Sequence, residues 1–159
     1  RCLKKSIFKM KNYSIDEGGI MRKKLVLTLG TLLSVAALAH APLVSVDDNG
    51  DGTIYVEGGF SNGASAAGIP VIIVKDAPYN GPEETFKGKE ILYEGKFGED
   101  NSITLPKPAT PKYEVYFNAG EGHIVGKKGP ALTEAEQEAW KKAVDAFDFG
   151  DWKDYMLEK

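Results

Sequence analysis

Pro70-Val71-Ile72-Ile73-Val74 is apolar at every position, and four of its five residues are β-branched. β-Branched side chains favour extended backbone, and so short an unbroken apolar run has the pattern of a strand covered on both faces. Such a strand needs partner strands on either side, and the flanking sequence supplies candidates. Upstream, Leu43-Val44-Ser45-Val46 and Thr53-Ile54-Tyr55-Val56-Glu57 bracket Asp47-Asp48-Asn49-Gly50-Asp51-Gly52, a hairpin pattern, and Ser61 to Gly68 is a loop of small residues. Downstream, a Pro/Gly loop over 76–88 precedes an alternating stretch with Ile91, Tyr93 and Phe97 on one face and Glu94 and Lys96 on the other. Gly98-Glu99-Asp100-Asn101 turns the chain into Ile103-Thr104-Leu105, which Pro106, Pro108 and Pro111 close because proline cannot donate to a ladder. Tyr113 to Asn118 alternates again, and His123-Ile124-Val125 follows. About seven short strands at this spacing predict an all-β protein, a small antiparallel β-sandwich.

After residue 130 the period changes. Thr133-Glu134-Ala135-Glu136 is a capping box, and Leu132, Ala135, Ala139, Trp140, Ala143, Val144 and Phe147 recur at three- and four-residue steps. This predicts an amphipathic helix ended by Gly150, with Trp140 and Phe147 docked on a sheet edge and a Glu138–Lys142 pair on the outer face. Trp152, Tyr155 and Met156 suggest one further turn or a partner contact.

The leader has a different character. Arg22-Lys23-Lys24, the apolar Leu25 to Ala36 and Ala37-Leu38-Ala39 have the three-part form of a secretory signal peptide over 21–39, too short an apolar run to span a bilayer. Residues 1–20 are basic and featureless, and Asp16-Glu17-Gly18-Gly19-Ile20 has the form of a ribosome-binding site read through as codons. They are expected to be translated upstream sequence, with Met21 the start. The domains are then 40–130, the sandwich, and 131–159, the helical segment, in a periplasmic or secreted bacterial protein without stable membrane insertion.

Eight of the 20 Lys and Arg lie in residues 1–39 but only two of the 23 acids, so residues 40–159 carry 12 basic and 21 acidic side chains, a net charge of −9 with His neutral. That balance repels phosphate backbones and excludes sequence-independent nucleic-acid binding. The single cysteine, Cys2, lies in the leader, leaving neither disulfide nor cysteine-zinc site.

The runs Gly63-Ala64-Ser65-Ala66-Ala67-Gly68-Ile69-Pro70-Val71-Ile72-Ile73, Tyr93-Glu94-Gly95-Lys96-Phe97, Gly98 to Pro106 and Tyr113-Glu114-Val115-Tyr116-Phe117 resemble the prealbumin-like domains, including the carboxypeptidase regulatory domain. Within that group the chain is similar to bacterial periplasmic proteins associated with nickel or cobalt uptake, which begin near a His and carry a Gly-x-Gly-His segment, here Gly120-Glu121-Gly122-His123. The resemblance covers residues 40 to about 130. It implies that His40 and His123 converge on a metal and that a membrane metal transporter is the partner.

The residues by themselves support several readings. Cleavage after Ala39 would make His40 N-terminal, offering an α-amine and a ring nitrogen to Ni, Co or Cu, with Glu121 an oxygen donor or an acceptor for a ring N–H. His40 is equally a solvated terminus, and His123 a strand residue bonded to a carbonyl. Asp47, Asn49, Asp51 and Thr53 match the first half of a calcium loop. The twelfth position, however, is Gly58 in place of Glu, which favours an Asx-rich turn over calcium. No nucleophile elbow, phosphate loop or buried carboxylate pair points to catalysis. The expected function is a non-enzymatic exported metal-binding accessory, with a metal-free adhesion or scaffold module as the alternative.

Overall fold

In the computed structural model, which describes residues 40–157, the Pro70 run is the central strand of the larger of two antiparallel sheets. The strands are β1 (Pro42–Asp48), β2 (Thr53–Phe60), β3 (Pro70–Pro78), β4 (Thr85–Phe86), β5 (Lys89–Lys96), β6 (Ser102–Pro106), β7 (Tyr113–Asn118) and β8 (Ile124–Lys128). Their orders are β1-β2-β6 and β4-β5-β3-β7-β8, an all-β sandwich with eight strands where the sequence predicts about seven. The expected leader over 1–39 lies outside the described residues.

The two-sided burial of β3 is as its composition predicts. Val71 and Ile73 enter the core between the sheets with Ile54, Val56, Leu105, Val115 and Phe117, whereas Ile72 and Val74 join Ile91 in a second buried cluster on the outer face of the larger sheet. Register shifts between Ile73 and Val74 put Tyr93 opposite Ile73 and Ile91 opposite Val74. Ile91 therefore leaves the face it was expected to share with Tyr93, and Leu92 takes a place in the main core.

The strand missed in sequence, β4, pairs with β5 only at Thr85–Glu90 and Phe86–Lys89. Its hairpin turns on Lys87 (φ 53°) and Gly88 (φ 74°), the two left-handed residues that a two-residue hairpin loop requires. Lysine is not a residue that announces such a turn.

The C-terminal segment closes the sandwich on one side. A 3₁₀ turn (Glu134–Glu136) leads into α1 (Gln137–Ala146), which lies along β6, and a second 3₁₀ turn (Gly150–Trp152) and α2 (Lys153–Met156) lie along β5, where β4 leaves the edge open. Val144, Phe149 and Met156 belong to the same buried cluster as the strands. The inward stripe differs from the expected one. Ala135 and Ala139 are exposed, and Glu136, Trp140, Val144 and Phe147 face inward. The helix also stops before Gly150, because Phe147 adopts extended backbone (φ −84°, ψ 136°) and so brings both its own ring and that of Phe149 onto Tyr93, with centroids 6.0 and 6.2 Å away. On the outer face Glu138 pairs with Lys141 at 3.1 Å, three residues on rather than the expected four.

Candidate functional site

The register of β1 on β2 decides where His40 lies. Pro42 pairs with Phe60, so the chain before Pro42 emerges at the end of the sandwich where β2 leaves its sheet. The next residue pair continues this ladder beyond the strands: Ser61 N–H donates to the Ala41 carbonyl at 2.9 Å, and Ala41 N–H donates to Ser61 Oγ at 3.0 Å. Antiparallel pairing of β7 with β8 brings the connecting turn to the same end, with Asn118 opposite Ile124 and the Ala119–His123 turn beyond them. In that turn His123 N–H donates to the Gly120 carbonyl at 2.9 Å, and Ala119 N–H to the His123 carbonyl at 3.1 Å. Left-handed Gly120 (φ 96°) and Gly122 (φ 78°) make the reversal possible without side-chain strain.

Phe60 connects the two segments. Its ring packs edge-on against core Phe117 at 5.2 Å on one side and approaches the His123 ring at 6.3 Å on the other. His40 and His123 are both exposed, and both stand at this end. The Nδ1 of His123 lies 3.3 Å from the Glu121 backbone carbonyl. If Nδ1 donates there, Nε2 keeps its lone pair facing outward, the arrangement in which an imidazole acts as a ligand. Glu121 thus meets His123 through its main chain. Among the described residues no group of three or more His, Cys, Asp and Glu side chains could hold a metal ion.

Asp47, Asn49, Asp51 and Thr53 lie at the opposite end, where β1 turns into β2. The polar atoms of Asn49, Asp51 and Thr53 are turned on one another. Asp51 Oδ1 accepts the Thr53 N–H at 3.0 Å and hydroxyl at 2.6 Å, and these bonds, the hydroxyl's foremost, hold the Asp51 carboxyl below its ordinary pKa. Asn49 Nδ2 donates to Thr53 Oγ1 at 2.9 Å, and Gly50 N–H donates to Asp48 Oδ1 at 2.9 Å. These are the local bonds of Asx turns. The carboxylate here that does meet a cation is Asp48, and the cation is Lys107 at 2.9 Å.

Lys107 and Glu136 were not recognised in sequence as a pair. Lys107 is fully buried, and its ammonium also donates to Glu136 Oε1 at 2.6 Å and the Ala131 carbonyl at 3.3 Å. Glu136 accepts further bonds from Thr133 N–H (2.8 Å), Thr133 Oγ1 (2.7 Å) and Gly52 N–H (3.3 Å). Lys107, then the Thr133 hydroxyl and amide, hold the Glu136 carboxyl down at about 2. Burial pushes the Lys107 ammonium pKa down, but its bonds to Glu136 and Asp48 outweigh this and raise it. Trp140 Nε1 closes the clasp by donating to the Lys107 carbonyl at 2.7 Å. The placement of Lys107 between Pro106 and Pro108 is the only sequence sign that its backbone is held rigidly.

A groove of about 480 Å³ lies between the larger sheet and the C-terminal segment, lined in part by Lys75, Glu83, Glu90, Leu92, Asp154 and Tyr155. Tyr155 donates to Glu83 Oε2 at 2.6 Å, which pushes its hydroxyl pKa up to about 12. No helix among the described residues is long and apolar enough to cross a membrane. Comparison of the chain with family models, curated proteins and solved structures returns no match.

Proposed function

We propose that this chain is a non-enzymatic, exported binding protein that takes up a divalent transition metal, nickel, cobalt or copper, as an accessory to a membrane metal transporter. The observation that carries the reading is that His123, whose ring approaches Phe60, and the segment just after His40, whose Pro42 pairs with Phe60, stand at one end of the sandwich. Processing before His40 adds an α-amine, so that two imidazoles and an amine can surround one ion, a donor set suited to Ni(II), Co(II) and Cu(II). The resemblance to periplasmic domains associated with nickel and cobalt uptake points the same way.

Isothermal titration of the processed protein with Ni(II), Co(II) and Cu(II) tests the reading. Binding at one site per chain is expected, weakened at least tenfold, about 1.4 kcal/mol, by His123→Ala or by one extra residue ahead of His40. Equal affinity in all three proteins, or no binding to the processed form, would exclude the site and leave the metal-free scaffold module as the reading.

A further inference from the structure

The chain contains three Asn-Gly pairs, Asn49-Gly50, Asn62-Gly63 and Asn80-Gly81, and all six residues are exposed. Asparagine ahead of glycine is the pairing most open to self-modification, because glycine has no side chain to shield its backbone nitrogen. That nitrogen, as it gives up its proton, attacks the asparagine Cγ; the Cγ–Nδ2 bond breaks, ammonia leaves with the proton, and a five-membered succinimide remains. Water then opens one of the two ring C–N bonds, giving an aspartyl or an isoaspartyl linkage, with no electron transferred. We propose that Asn80 is the site of this modification in the folded protein, and that the fold holds the other two pairs out of the reaction.

The ring closure needs two freedoms, an N–H that can lose its proton and a carboxamide that can turn its Cγ towards that nitrogen. The first pair has neither. Gly50 N–H donates to Asp48 Oδ1 at 2.9 Å, and Asn49 Nδ2 donates to Thr53 Oγ1 at 2.9 Å. The second pair is tied in the same two places: Gly63 N–H donates to the Phe60 carbonyl at 2.8 Å, and Asn62 Oδ1 accepts the Ala64 N–H at 3.1 Å. Among the described residues, neither the Gly81 N–H nor the Asn80 carboxamide has a hydrogen-bond partner. The bonds of this loop fall on its neighbours instead. Tyr79 N–H donates to the Gly88 carbonyl at 3.0 Å, and Glu83 N–H donates to the Tyr79 hydroxyl at 3.4 Å. A Cβ at position 81 would occupy the place of the Tyr79 hydroxyl, so the residue that leaves the amide unshielded is also the one that the packing of the loop calls for. Either product adds a negative charge three residues ahead of Glu83, whose carboxylate accepts the Tyr155 hydroxyl at 2.6 Å, and the isoaspartyl form also lengthens the main chain there by one methylene.

The test incubates the intact protein at mildly alkaline pH, with and without unfolding urea, and follows each asparagine by mass spectrometry. Double digestion after Glu and Lys separates the three sites, since Glu57 lies between Asn49 and Asn62, and Lys75 between Asn62 and Asn80. In the folded protein Asn80 should convert at least tenfold faster than either of the others, each of which must first give up two hydrogen bonds. In urea those bonds are gone and the three rates should converge. Asn80→Gln, which keeps an amide but closes the ring far more slowly, should abolish the acidic form that accumulates on ion exchange; the residue is exposed, and a melting curve verifies that the variant folds. Conversion of Asn49 or Asn62 as fast as Asn80 in the folded protein would overturn the assignment. So would an Asn80 that stays unmodified while the unfolded chain reacts, or an acidic form that persists in Asn80→Gln.

Discussion

Replacing Lys107 by Met tests how the C-terminal segment is held to the sandwich. The substitution keeps an unbranched chain of similar length in a fully buried position but removes the ammonium that meets Glu136 at 2.6 Å and Asp48 at 2.9 Å. Breaking a buried pair by removing one partner costs about 3–5 kcal/mol, because the charge left behind is desolvated and unpaired. Glu136 would retain its bonds from Thr133 and Gly52, and Asp48 is exposed enough, at 43% of its side chain, to be solvated. The expected loss is therefore near the lower figure, about 3 kcal/mol. Urea unfolding at pH 7, followed by tryptophan fluorescence, measures it. The pH dependence supplies a second, independent reading. Because the folded Glu136 carboxyl is held at about 2, below the ordinary 4.5, its contribution is present in full above the ordinary value and lost as pH falls towards 2. In Lys107→Met the carboxyl has no ammonium to keep it ionised, so acid relieves the defect. The gap between the two proteins should thus narrow from pH 7 to pH 3. A loss below about 1 kcal/mol at pH 7, or a gap independent of pH, would refute the clasp as the element that fastens the segment.

Two further substitutions probe the same closure from its other contacts. Gly52→Ala should destabilise by about 2–5 kcal/mol in thermal unfolding, since Gly52 is left-handed (φ +83°) and a Cβ there would come within 2.5 Å of Trp140 Cβ and 2.7 Å of its Cα, atoms that move only if the helix moves. Phe149→Ala should cost about 3–5 kcal/mol by urea unfolding, because the ring is 4% exposed and packed on Tyr93 and Phe147; a loss below 1 kcal/mol would mean that the segment after α1 does not share the core.

What could be read in advance depended on whether a residue's environment is set by its neighbours in sequence or by distant chain. The Pro70 run announces a central strand because its own composition cannot tolerate water on either face. Tyr113 to Asn118 alternates strictly, and Tyr113, Val115 and Phe117 are the buried members. Strand ends were less legible. Asp47 and Asp48 have turn chemistry, yet β1 runs through them because Asp48 pairs with Ile54 and its carboxylate has Lys107 to meet. Gly58 and Gly59 weaken strand propensity, yet β2 continues to Phe60, since a Cβ at Gly58 would lie 2.8 Å from the Phe117 ring and 2.9 Å from that of Phe97. There the absence of a side chain makes room for two aromatic rings from other strands, which no local pattern reveals.

The histidine end shows the same division. That His40 stands just before a strand is legible from residues within a few positions; His123, expected as the first residue of a strand, lies instead in the glycine turn that precedes β8 (Ile124–Lys128), because its N–H and carbonyl close that turn on Gly120 and Ala119. That the two come to one end depends on three facts separated widely along the chain: the pairing of Pro42 with Phe60, the position of the 119–123 turn beyond β7 and β8, and a Phe60 ring long enough to reach from Phe117 to His123. Ser61 is invisible for a related reason. A serine in a Gly/Ser/Asn loop is ordinary, and its grip on Ala41 follows only from the antiparallel ladder extending one pair past the end of β2. The same ladder, followed the other way, carries β1 to Asp48 and the Lys107 clasp. The strand that follows His40 is therefore anchored at its far end by the ion pairs that fasten the C-terminal segment. A weakened clasp should loosen the proposed metal end only to the extent that β1 itself frays, so, if the chain begins at His40 as proposed, Lys107→Met is expected to lose stability while keeping Ni(II) affinity within about twofold under conditions where it remains folded.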